Sequence, residues 1–158
     1  MPEAPILLRR VHGDRDSFVP LLSEADESEL VLRSYLDDGE LYELLAADAS
    51  AGAPVGVVLL VPAEPGALEI KNIALSREHR RRGLGRAAIE AIVAHARTQG
   101  NERLRVGTTD SSVGTIAFYR ACGFEDAGRV EGFFDSYPEP VFEEGVRAHD
   151  MVLFEMPL

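Results

Sequence analysis

The run "HRRRGLGR" at residues 79–86 places four arginines and two glycines in eight positions. Such a run has three chemical readings: a solvated basic turn, a nucleic-acid patch, or a cradle for phosphate. Glycines let an anion approach the main chain with no Cβ in the way. Arginines beside them add charge-assisted hydrogen bonds. The stretch Arg80-Arg81-Arg82-Gly83-Leu84-Gly85 reads as following a strand and opening a helix. A helix start contributes unpaired N–H groups and the positive end of the dipole, so the ligand described is a diphosphate.

Charge separates the three readings. The chain of 158 residues carries 16 Lys and Arg against 27 Asp and Glu, a formal net charge of -11. A general grip on nucleic acid calls for a basic face, so a nucleic-acid partner is not expected. The long-range field favours cations instead. No apolar run approaches the ~20 residues that span a bilayer, and "MPEAPILLRRVHGD" lacks the layout of a signal peptide. The expectation is therefore a cytoplasmic protein with no membrane partner.

A second group of residues lies in "DSSVGTIAFYRACGF", 110–124. Ser112, Ile116 and Tyr119 are separated by four and three and share a helix face. A tyrosine held there could donate a proton; its structural alternative is a buried core tyrosine. The single cysteine, Cys122, permits no intrachain disulfide. It reads as a small buried filler rather than a nucleophile. His12, His79, His95 and His149 show no metal-ligand spacing, and no metal is expected.

These residues need elements to position them. Strands are expected at 6–11, 40–48, 53–63, 66–76, 102–109, from 124 onward, and at 148–156. Short helices are expected at 16–22 and within 26–39, the latter with an apolar stripe of Leu30, Leu32, Tyr35 and Leu36. A longer helix follows the arginine run and ends at Gly100. Another spans 110–123, capped by Asp110 or Ser111. Hairpins in the middle imply antiparallel pairing, while the helix after Gly83 crosses between strands that could be parallel. The fold class is α/β (α+β): a mixed, largely antiparallel sheet of about seven strands with helices on both faces, in one domain over 1–158.

A dinucleotide-binding alternative fits Gly83-Leu84-Gly85-Arg86-Ala87-Ala88 to G-x-G-x-x-A. Against it, the loop follows apparent hairpins, the arginine triplet is not part of that fingerprint, and Glu102 begins a strand instead of ending one. No Gly-Lys-Ser/Thr of a P-loop appears.

Taken together, strand, R-x-x-G-x-G, helix, strand, and a helix ending in F-Y-x-x-x-G-F resemble the GNAT superfamily of acetyl-CoA-dependent N-acetyltransferases over residues 66–124. The resemblance implies acetyl-CoA as co-substrate, with its pyrophosphate on Arg80, Arg81, Arg82, Gly83, Leu84 and Gly85 and with Arg86 at the helix start. It implies that the strand at Ile73, Ala74 and Leu75 lends main-chain groups to the pantetheine and the acetyl carbonyl. Tyr119 becomes the acid beside the thioester sulfur, and Ser112 stands where the family often has a cofactor-contacting Asn. Glu69 is the candidate base, directly or through water; its structural alternative is a surface carboxylate paired with Lys71.

The implied reaction is direct transfer, in a ternary complex, to a primary amine on a small molecule or peptide terminus. The acidic and aromatic run 131–144 is either a lid for a cationic amine, by Coulomb attraction and cation–π contact, or a connection or dimer contact. Prolines at 138 and 140 make it read as a semi-rigid loop rather than a strand. A non-catalytic acyl-CoA sensor on the same fold is the rival function. Family members often pair, so a homodimer is among the expectations.

Overall fold

The structure, a computed structural model, describes residues 6–47, 54–79 and 83–158. Arg80, Arg81, Arg82 and the connection 49–52 between the strands expected at 40–48 and 53–63 lie outside the described residues.

Strand β1 (Ile6–Arg10) leads to a short helix α1 (Val19–Leu22) and to α2 (Glu29–Tyr35). Ser28 caps α2 by accepting from the Val31 N–H at 3.2 Å. Leu32, Tyr35 and Leu36 are buried as expected, whereas Leu30 is 71% exposed. The correction follows from the 3.6-residue turn: Leu30 lies two positions before Leu32, on the opposite side of the helix.

Strands β2 (Glu40–Ala46), β3 (Gly56–Pro62) and β4 (Ala67–Leu75) form an antiparallel meander beside β1. Helix α3 (Leu84–Thr98) then crosses to β5 (Arg103–Thr109), which pairs with β4 in parallel. Helix α4 (Val113–Ala121), the edge strand β6 (Glu125–Val130), a small hairpin of β7 (Phe142–Glu143) and β8 (Val146–Arg147), and β9 (Met151–Pro157) complete the chain. The seven-stranded sheet has the order β1-β2-β3-β4-β5-β9-β6, with β4–β5 its one parallel pair among the described residues. A doubly wound dinucleotide sheet, which is mostly parallel, is not this architecture. Among the described residues no helix is long and apolar enough to cross a membrane.

Two apolar layers hold the helices to the sheet. Ala87, Ala88, Ile89, Ile92 and Ala96 of α3 pack with Tyr119 of α4 on Val58, Leu60, Leu68, Ile70, Leu104 and Phe154. Each fully buried isoleucine there contributes ~1.5–3 kcal/mol relative to exposure. On the other face Leu22, Leu32, Tyr35 and Leu36 pack on Val57, Leu59 and Ala74.

Strand β4 contains a bulge. Leu60 pairs with Ile70 and Leu59 with Asn72, leaving Lys71 as the extra residue. Before it, Leu68 and Ile70 face α3; after it, Ile73 and Leu75 take that side while Asn72 and Ala74 face α1 and α2. The β4–β5 pairing also ends at Ile70 and Val106. Beyond that point the two strands part, and the gap between them is where the cavities lie.

Candidate active site

The cavity on one side of this gap is a cleft of about 490 Å³ lined by Ile73, Ala74, Leu75, Gly83, Gly85, Arg86, Phe118 and Tyr119, with Glu24 and Ala25 across from them. The strand contributes its free flank, α3 its first turn, and α4 its aromatic pair. Gly83 caps α3 in the left-handed region, at φ 74°, a conformation that favours glycine. Gly85 is small for a different reason: a Cβ there would stand 3.2 Å from Cζ of Phe118. The two glycines thus let α3 begin sharply and sit close to α4. Arg86 is exposed, with a loose 3.8 Å contact to Glu90. Leu84 turns into the core and does not line the cleft.

Tyr119 is 6% exposed, packed edge-on against Phe124 and tilted on Phe118 and Phe154. Burial pushes its phenol well above the ordinary tyrosine range, with Cys122 a minor contributor. Cys122 is half-buried against the same core, and burial raises its thiol. That depletes the thiolate a nucleophile would need.

The cleft continues into a smaller cavity of about 250 Å³ under the parted strands. Its walls are Ile70, Lys71, Asn72 and Ile73 of β4, Val106, Gly107 and Thr108 of β5, together with Ser112, Tyr119, Glu24 and Glu143. Ser112 is the residue at the start of α4, but its Oγ bonds Thr109 Oγ1 at 2.7 Å rather than the helix. The expected cap by Asp110 or Ser111 is corrected likewise. Asp110 Oδ1 accepts from the His149 N–H at 3.0 Å, and the Val113 N–H donates to Glu144 Oε2 at 3.1 Å. A carboxylate distant in sequence supplies the cap.

Beyond this lies a basin of about 410 Å³ lined by Asp26, Glu27, Asp38, Glu143, Lys71 and the aromatic rings of Tyr35, Phe133, Phe134 and Tyr137, among others. One hydrogen-bond chain crosses it. Asn72 Nδ2 donates to Tyr35 Oη at 3.1 Å, Tyr35 Oη donates to Asp26 Oδ2 at 2.8 Å, and Tyr137 Oη donates to the same oxygen at 3.4 Å. Burial, reinforced by Asp26, raises both tyrosines above their ordinary range. Tyr137 belongs to a segment with its own small core of Phe134, Val141 and Ala148. The expectation of a loop without strands is corrected here: beyond the prolines, Phe142–Glu143 and Val146–Arg147 pair as a hairpin.

Of the residues singled out from sequence, Ile73, Ala74, Leu75, Gly83, Gly85, Arg86 and Tyr119 come together in the first cleft. Ser112 joins the cavity behind it. Glu69 comes to none of the three. It lies before the bulge, opposite Arg105 in register, on the sheet face where Arg105 pairs with Glu155 and Glu64. Asn72, Tyr35, Asp26, Glu24 and Glu27 escaped sequence reasoning. The polar Asn within "LEIKNIALS" was the available signal, since a buried Asn on an apolar strand asks for partners.

Comparison with known proteins agrees with this geometry. The sequence model of the "Acetyltransferase (GNAT) family" matches residues 11–124. The chain is 32% identical over 144 residues to the uncharacterized N-acetyltransferase YvbK of Bacillus subtilis (strain 168), covering 90% of each chain. It is similar to the crystal structure of a GNAT family acetyltransferase from Elizabethkingia anophelis with acetyl-CoA bound. There the TM-score is 0.86 at 30% identity, over 97% of this chain and 98% of that one. It is also similar to a Bacillus subtilis acetyltransferase in complex with CoA, with TM-score 0.83 at 30% identity over 99% of both. A β4–β5 gap flanked by a glycine-capped helix and a buried tyrosine, in a chain matched by that family's model over most of its length, leads to one conclusion: the chain belongs to the GNAT acetyltransferase family.

Proposed function

We propose that this enzyme transfers the acetyl group of acetyl-CoA directly to a primary amine carried by a cationic small molecule or peptide terminus. The observation that carries this reading is the continuity of the three cavities. Ile73 and Tyr119 line both the cleft and the cavity under the strands, while Lys71 and Glu143 line both that cavity and the acidic basin. A cofactor entering from one side and an amine from the other would meet beside Tyr119.

In this reading the first-turn N–H groups of α3, with Arg86 and the arginines at 80–82, hold the diphosphate. Main-chain groups of β4 at Ile73, Ala74 and Leu75 hold the pantetheine, and an N–H there stabilises the carbonyl oxygen as charge develops. Holding both reactants together itself lowers the barrier by several kcal/mol. Tyr119 gives a proton to the departing thiolate. Its raised pKa suits the role, because the phenol enters each turnover protonated. The acidic basin, closed by the segment 131–144, receives the cation.

The test is an amine panel scored by coenzyme A release, alongside calorimetric titration with acetyl-CoA. Acetyl-CoA binding with acetylation of cationic amines is the expected result. Acetyl-CoA binding with no acetylation of any amine would make the protein an acyl-CoA sensor.

A further inference from the structure

The cavity where cofactor and amine would meet is lined by two polar side chains that the family resemblance did not point to. One is Glu143, the carboxylate shared by this cavity and the acidic basin. The other is Asn72, 5% exposed. Both protons of its Nδ2 are committed, to Leu22 O at 3.0 Å and Tyr35 Oη at 3.1 Å. Those donations fix the amide, and Oδ1 is buried with no hydrogen-bond partner among the described residues.

Resting on the acetyl-transfer reading above, we propose that Glu143, on the wall of the cavity where amine and thioester would meet, is the residue that takes the proton from the incoming ammonium. Two other carboxylates compete for the part. Glu69 lines none of the cavities. Glu24 lines the meeting cavity but also the cofactor cleft, and Arg77 Nε holds it at 3.2 Å. Of the carboxylates lining these cavities, Glu143 alone lines both the meeting point and the basin from which the amine arrives.

Its surroundings suit a base. Burial raises the Glu143 carboxyl above the ordinary range, with Glu27 and Glu144 adding to the effect. The charged and titratable groups lining the same cavities, or acting on it, are Glu24, Asp26, Glu27, Tyr35 and Asp38 from the α1–α2 side, Lys71 from β4, Tyr119 from α4, and Tyr137 and Glu144 from its own segment.

The step balances. The ammonium gives one proton to Glu143, leaving a neutral amine and a neutral carboxylic acid. The amine nitrogen bonds to the acetyl carbon, and the carbon–sulfur bond breaks as Tyr119 protonates the sulfur. The nitrogen's surplus proton restores Tyr119, and Glu143 returns its proton to solvent through the basin.

The experiment compares wild type, Glu143→Gln and Glu143→Asp on one amine of the panel across pH, with acetyl-CoA affinity measured separately. In wild type, kcat/KM should rise with pH through the titration of Glu143 and then level off. In Glu143→Gln it should fall about 10²-fold near neutrality, the usual worth of one proton-transfer group. It should then climb steadily with pH as free amine accumulates, while acetyl-CoA affinity holds. Glu143→Asp should keep the acidic limb and part of the rate, which excludes a folding defect. A Glu143→Gln enzyme with wild-type rate, or with the acidic limb intact, overturns the assignment of Glu143 alone. A wild type that binds acetyl-CoA and acetylates nothing overturns the parent reading, and this one with it.

Discussion

The two ends of the gap between β4 and β5 are built in opposite ways. The first cleft draws most of its walls from two compact stretches, 73–86 and 118–119, and it offers main-chain features: a strand flank, a helix start, a left-handed glycine. The acidic basin draws on α2, on β4 and β5, and on the segment 133–143, and relies on side chains: carboxylates, tyrosines and one lysine. A ligand recognised by backbone can be served by many side chains, provided the strand and helix meet at the right place. A ligand recognised by side chains depends on each one. The cleft is therefore the end that tolerates side-chain change more readily, and the basin the end that each substitution alters.

Four measurements test whether the two ends divide the work in this way. The largest effect should come from Tyr119→Phe, at the junction of the two regions. It should lower kcat by about 10²-fold with little change in either ligand's affinity. A full-rate variant with chemistry rate-limiting would return Tyr119 to a packing role. Next is Gly83→Asp, which puts a negative charge and a Cβ at the helix start. Acetyl-CoA affinity should weaken about 30-fold, equivalent to ~2 kcal/mol, and calorimetry should find the acceptor's own binding unaltered. Equal acetyl-CoA affinity in a folded variant would detach the α3 start from the cofactor.

A smaller effect is expected on the basin side. Asp26→Asn removes one negative charge from the chain that joins Tyr35 and Tyr137. It should raise KM for a cationic acceptor about fivefold, ~1 kcal/mol, and leave acetyl-CoA untouched; a parallel rise for an uncharged amine would mean lost packing instead. Smallest is salt. Raising ionic strength to the physiological range shortens the field to ~8 Å. With a chain of net charge -11, kcat/KM should decline about threefold for a cationic amine and not at all for a neutral one. Identical salt responses would remove electrostatic steering from the account.

The same contrast explains what the sequence made legible. The strands around the arginine run, the crossover helix and its parallel partner could be read because turn residues and periodicity are local signals. The cleft followed because its residues are near neighbours in the chain. The basin did not. Asp26, Tyr35 and Tyr137 meet across separations that no spacing rule spans, and Leu30 was assigned to the wrong side of its helix for want of a defined helix start. Glu69 was drawn in by its strand, and the bulge at Lys71 is invisible in a pattern that alternates cleanly on either side of it. Glu144 was counted with the acceptor segment, yet its carboxylate bonds the Val113 N–H at the start of the helix that carries Tyr119.

That bulge has a consequence for how this chain can change. It reverses the parity of β4, so Ile70 and Ile73 point to one side although they are three residues apart, and Asn72 points to the other. Substitutions in the strand alter one wall at a time. Deleting or inserting a single residue between Ala67 and Leu75 would instead exchange the two faces over half the strand, burying Asn72 among the α3 contacts and turning Ile73 toward α2. Indels are thus barred from β4 and left to the connections around it, so that the segment 133–143, one wall of the basin, can be remodelled while the frame of the strand stays fixed.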